Sequence, residues 1–167
     1  MRLFWALVRI FSAPARRPSV RPRPDSRVTV PPAASPPAGT VLRGRCWVID
    51  GDTIVIDNIR LRLAGIDAPE LDHPWGKRSK WALVQLCKGQ TITAHIRPEL
   101  SYDRVVAECF LPDGRDLAAE LVRVGLALDW PKFSGGKYRH LEPAEARRRM
   151  WRIQARQQGR LPPPPDD

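Results

Sequence analysis

The chain has 167 residues, 43% hydrophobic and 28% charged, enough for one domain with a buried core plus tails. Its formal net charge is +10, and eight Arg against one Asp among residues 1–43 account for +7 of it, so the middle of the chain is close to neutral or acidic. Cys46, Cys87 and Cys109 stand too far apart for a CxxC pair, and there is no Walker-type glycine loop. That removes thioredoxin-type redox centres, zinc ribbons and P-loop phosphate transfer.

Residues 1–15 have the outline of a secretory signal, with Arg2 at the start and Ser12-Ala13-Pro14-Ala15 at the end. Arg9 interrupts the apolar run after Val8, which leaves it short for a signal core and far too short to span a bilayer. A short amphipathic helix lying on a membrane is the other reading. Residues 16–40 are rich in Pro, Arg, Ser and Ala and cannot bury enough apolar surface to offset their ordering entropy, so a disordered linker is expected. A second disordered tail is expected over 159–167, around Pro162–Pro165. The ordered domain is therefore expected over 41–158. Either the basic ends aid solubility or they draw the chain to a polyanion, which is nucleic acid or an anionic membrane surface. Nothing implies a protein partner. Three cysteines in apolar patterns read as buried free thiols, which suits a reducing compartment without settling between cytoplasm and export.

Within the domain, Cys46–Ile49, Thr53–Ile56 and Ile59–Ile66 read as strands, with Asp57-Asn58 as a two-residue hairpin turn. Ile59, Leu61 and Leu63 alternate with Arg60 and Arg62, which puts the arginines on the wet face. Pro74–Lys88 changes to a helical period that Gly89 ends. Thr91–Ile96 and Val105–Leu111 are two further strands, and Leu117–Val124 is a second helix stopped by Gly125. A third helix is expected over Glu142–Arg156, with Ala146, Met150 and Ile153 as its inner stripe. The predicted fold class is α+β: a five-stranded OB-fold barrel with about three helices.

The residues that carry chemistry cluster in IDGDT, residues 49–53, and RLAGIDAPE, residues 62–70. Asp52 and Asp67 offer hard oxygen ligands to a divalent cation. Glu70, three residues past Asp67 and just beyond Pro69, is an acid for a water. Arg62 has a planar fork that suits a phosphate. Together they describe phosphodiester hydrolysis. Each has a plainer role as well: Asp52 as a turn residue, Glu70 as a cap, and Asp67 with Arg62 as a surface ion pair. His73, His95 and His140 are too isolated to argue for zinc.

These two segments, with Tyr102-Asp103-Arg104 and the Leu121–Ala127 helix end, resemble the thermonuclease (staphylococcal nuclease-like) family from about Gly44 to Arg156. The resemblance implies one Ca²⁺ held by Asp52, Asp67 and the main-chain carbonyl of Ala68, with Glu70 as general base and Arg62 and Arg104 as the phosphate clamp. Asp103 stands where the family has Gly and adds a negative charge beside Arg104. Tyr102, Trp130, Phe133 and Tyr138 are candidates to stack on or border a base, with packing as the other reading for Trp130 and Phe133. The implied activity is calcium-dependent cleavage of DNA or RNA, single-stranded and with little sequence preference. The alternatives are a non-catalytic OB-fold module that binds nucleic acid or protein, and a membrane-tethered scaffold. DNA against RNA preference, endo against exo action and oligomeric state stay open.

Overall fold

The alternation of apolar and polar residues builds the strands as expected. In β4 (Ile59–Leu63) Leu61 and Leu63 are buried, while Arg60 and Arg62 lie on the other face, which is half-buried rather than wet: the Arg62 side chain is only 12% exposed. It pairs with β3 (Thr53–Ile56) through the Asp57-Asn58 turn, where both residues take positive φ, 49° and 64°, as a type I′ hairpin requires. The computed structural model describes residues 36–101 and 104–160, with the side chains of 99–101 left aside. The N-terminal signal-like segment, most of the linker, Tyr102, Asp103 and the end of the C-terminal tail lie outside the described residues.

Four further strands complete a six-stranded mixed sheet: β1 (Val41–Gly44), β2 (Trp47–Val48), β6 (Ile92–Ser101) and β7 (Arg104–Phe110). The order is β1-β6-β7-β4-β3-β2, with β4 and β7 parallel and the other pairs antiparallel. The sheet curls, so that β1 at one edge comes back against β3 near the other. The result is an α+β, OB-like half-barrel. Helix α1 (Gly76–Cys87) and α2 (Leu117–Arg123) bury Leu83, Leu117 and Leu121 against Ile54, Ile56, Leu61, Leu63 and Ile92. Asp116 caps α2 by accepting from the Ala118 N–H at 2.9 Å, and Gly125, at φ 67°, ends its C-terminal turn.

Several elements differ from expectation: β1 precedes the first strand read from the sequence and makes six strands in the main sheet rather than five, and β6 runs on to Ser101. The strand read over Ile59–Ile66 breaks at Gly65, which takes φ 74°. The chain resumes as β5 (Ile66–Asp67), paired with the distant β8 (Leu128–Asp129) as Ile66↔Asp129 and Asp67↔Leu128. The third helix starts later, at Ala146, and breaks at Met150 (φ −105°, ψ 42°) into α4 (Ala146–Arg149) and α5 (Trp151–Gln157). A short α3 (Pro131–Ser134) also precedes it. The expected inner stripe does hold: Ala146, Met150 and Ile153 form a second core with Leu128. Because Leu128 is the register partner of Asp67, this packing lays α5 over the β5–β8 ribbon.

Cys87 and Cys109 are buried and Cys46 is half-buried, all as free thiols. Among the described residues no helix is long and apolar enough to cross a membrane.

Candidate active site

The turn between β2 and β3 fixes Asp52. Its N–H donates to Asp50 Oδ1 at 2.9 Å, and its carbonyl accepts from the Leu63 N–H at 2.8 Å. Gly51 is needed there for closeness rather than for an unusual φ. A Cβ on it would stand 2.2 Å from Ser79 Oγ and 2.8 Å from the Ala68 Cβ, so only glycine lets the turn rest on α1. The Asp52 carboxylate accepts from Thr53 Oγ1 at 3.1 Å and from the Ala68 N–H at 3.3 Å, and Arg62 Nη1 lies 2.7 Å from its Oδ2. Arg62 Nη2 donates to the Ile66 carbonyl at 3.2 Å and to Asp67 Oδ1 at 3.4 Å. Thus one guanidinium bridges both aspartates, which are 4% and 2% exposed.

Glu70 is placed by a tight loop. Its carbonyl accepts from the His73 N–H, the His73 carbonyl accepts from the Gly76 N–H, and His73 Nδ1 accepts from the Trp75 N–H at 3.1 Å. His73 is thus a loop-builder. A Cβ on Gly76 would fall 1.8 Å from the Glu70 carbonyl oxygen. Gly76→Ala is therefore expected to cost about 1–3 kcal/mol through overpacking and to displace Glu70. Thermal unfolding and the cleavage rate, both falling, are the readouts; unchanged values would show that the loop yields without cost.

Arg156 was not among the residues singled out from sequence. Its Nη2 and Nε donate to the Asp67 Oδ1 and Oδ2 at 2.6 and 3.3 Å, and its Nη1 lies 3.4 Å from Glu70 Oε1. It sits three residues after Ile153, on the face of α5 that carries the inner stripe, and that spacing was the available signal. Arg104 reaches the cluster at one remove: its Nη1 donates to Thr53 Oγ1 at 3.4 Å, and that hydroxyl in turn donates to Asp52.

The candidate base-contacting aromatics divide. Trp130 and Phe133 meet edge to face at 4.8 Å, with Phe133 48% exposed. Tyr138 is a correction: it is 2% exposed and its hydroxyl donates to Asp116 Oδ2 at 2.8 Å, so it serves the core and offers no ring face to a base. Tyr102 lies outside the described residues.

A family model described as "Staphylococcal nuclease homologue" matches residues 60–155, more than half of the chain. The chain belongs to the staphylococcal nuclease homologue family. Its relatives include an "Uncharacterized endonuclease" of Escherichia coli, 34% identical over 91 residues, covering 52% of this chain and 60% of the relative. A "Probable endonuclease LCL3" of Phaeosphaeria nodorum is 32% identical over 102 residues, 54% of this chain and 34% of the relative. The "Succinoglycan biosynthesis protein ExoI" of Rhizobium meliloti is 34% identical over 106 residues, 57% of this chain and 56% of the relative. The chain therefore spans from about a third to 60% of the length of these relatives. Asp52 and Arg156 fall just outside the segment that the nuclease homologue model matches.

The charges of this nuclease-family site are not balanced. Arg62 pairs with Asp52 and Asp67, Arg156 pairs with Asp67 and Glu70, and Asp50 adds its negative charge to those acting on Arg62. Burial pushes the Asp67 carboxyl above its usual range, with Arg156 and Arg62 pulling back and Asp52 adding to the rise. Burial also raises Glu70, with Asp52 adding and Arg156 opposing; Asp50 rises through burial and the nearby Asp52. Arg62 goes the other way for a cation: burial disfavours its charge, but Asp52, Asp67, Asp50 and Glu70 outweigh burial and raise its pKa. Glu70→Gln gives a stability test of this crowding. A carboxyl whose pKa is raised by folding binds its proton more tightly in the folded state, so its contribution is full in acid and is lost as pH rises through the raised value. Glutamine does not titrate. In cation-free buffer at pH 7 the Glu70→Gln protein should melt above wild type, and the gap should close on acidification. A variant melting below wild type at pH 7 would mean that the Arg156 contact outweighs the crowding.

Proposed function

We propose that the chain is a cation-dependent nuclease that hydrolyses phosphodiester bonds of single-stranded or frayed DNA and RNA. The observation that supports this most is the convergence of Asp52, Asp67, Glu70 and Arg62 on one patch of the half-barrel, where three carboxylates meet the two guanidiniums, of Arg62 and Arg156, that pair with them. Among the described residues no three His, Cys, Asp or Glu side chains are grouped as a metal cage. What the patch does offer is two hard carboxylates and the backbone beside them, together with an uncompensated negative charge, and this suits Ca²⁺, which completes its shell with waters and substrate oxygens. Asp52, Asp67 and the carbonyl of Ala68 are the groups that would hold it. When bound, the ion supplies positive charge to a phosphate oxygen.

The chain's own residues do the rest. Glu70, with its side chain 43% exposed, is open to a water, and its raised pKa makes it a better proton acceptor than an ordinary glutamate. Arg62 and Arg104 supply charge-assisted donors to the phosphate as negative charge builds on it. The basic C-terminal stretch, from Arg147 to Arg160, favours a polyanion. The named endonuclease relatives point the same way.

A second reading is a binding barrel without chemistry. It is favoured by one observation: Asp52, Asp67 and Glu70 are already paired with arginines. Incubating purified protein with a labelled single-stranded oligonucleotide, in Ca²⁺ and in chelator, separates the two. The nuclease reading expects products in Ca²⁺ and none in chelator. Retention of intact oligonucleotide under both conditions, over neutral and alkaline pH, supports the binding barrel.

A further inference from the structure

We propose that Arg156 is a built-in counter-ion of the cation site, which holds a cation's place on Asp67 and Glu70 and sets how tightly the divalent ion binds. The inference rests on the proposed metal-dependent reading and deepens it. Three observations carry it. First, Arg156 engages both oxygens of Asp67, at 2.6 and 3.3 Å, and reaches Glu70 at 3.4 Å, so its charge sits on one candidate cation ligand and on the candidate base together. Second, its side chain is only 13% exposed, and the packing of Ile153 and Met150 against Leu128 delivers it there; it is no loose surface arginine. Third, Asp67 Oδ1 also receives Arg62 at 3.4 Å, so this one carboxylate already faces two guanidiniums before any metal arrives.

Two positive charges cannot share one carboxylate at close range without repulsion, which is strong in a partly buried site. A divalent ion must therefore either push Arg156 aside or bind against its charge. In both cases the arginine weakens the ion's affinity. It also stabilises the cation-free protein by giving buried Asp67 a second guanidinium and Glu70 a cationic partner. A residue that merely braced Asp67 and Glu70 in geometry for the ion would act in the opposite sense, and its removal would weaken cation binding.

The test is calorimetric titration of Ca²⁺ alone into the full chain, for wild type, Arg156→Gln and Arg156→Lys, with circular dichroism to confirm folding. Arg156→Gln is expected to bind Ca²⁺ about tenfold more tightly. It should also melt below wild type without cation and recover most of that loss when Ca²⁺ is added. Arg156→Lys keeps a charge but loses the fork, and it should fall between the two; it decides the matter if the glutamine variant does not fold. Equal or weaker Ca²⁺ binding by folded variants overturns the counter-ion assignment and leaves the nuclease reading intact. If wild type and both variants bind no Ca²⁺, the metal-dependent reading falls and takes this inference with it.

Discussion

Glu70→Gln is expected to lower cleavage of a single-stranded oligonucleotide about 10²–10⁴-fold, the range lost with a general base. The substitution is close to isosteric, and the loop that carries Glu70 is held by main-chain bonds from His73 and Gly76 rather than by the carboxylate. Folding should survive, and so should oligonucleotide binding, because the clamp arginines remain. Rates under single-turnover conditions, measured beside binding by fluorescence anisotropy, read both quantities. Binding without loss of rate would remove Glu70 from the chemistry. Binding with no cleavage by wild type either would leave the half-barrel as a binding module.

Arg62→Lys carries the next largest effect, about 10²–10³-fold in rate for loss of an aligned donor. One guanidinium here spans two aspartates and a main-chain carbonyl, with contacts at 2.7, 3.2 and 3.4 Å. A lysine keeps one point charge and can satisfy only part of that set. Asp52 or Asp67 is then left buried with one positive partner fewer, and a fall in Tm should accompany the fall in rate. Comparing kcat with KM tells the two effects apart: a loss confined to KM would place Arg62 in substrate binding alone. A lysine variant within threefold of wild type would show that the fork does not matter.

The parts that were legible in the sequence are those fixed by neighbours. The Asp57-Asn58 hairpin follows from two residues that tolerate positive φ, and the alternation in β4 set which face carries Arg62. What the sequence hid depends on distant partners. Gly65 ends β4 because β5 is claimed by β8, more than sixty residues away, and no local pattern announces that pairing. Tyr138 stands beside Gly135 and Gly136 and looked available to a base, yet Asp116 captures its hydroxyl and the core covers its ring. Arg156 was hidden by its surroundings, since it is one of several arginines in a basic stretch. Only the packing of α5 on Leu128 distinguishes it from Arg152, which stays exposed on the same helix.

In the proposed reaction, Asp52 and Asp67 hold the cation on which cleavage depends. The most direct measurement is a Ca²⁺ titration of oligonucleotide cleavage by wild type and by Asp67→Asn, a variant that keeps the size of the side chain and removes its charge. Wild type is expected to show a saturable rise from no activity, and the variant a half-saturating Ca²⁺ concentration at least about tenfold higher. Wild-type cleavage that persists in chelator, or a variant that titrates like wild type, would contradict it.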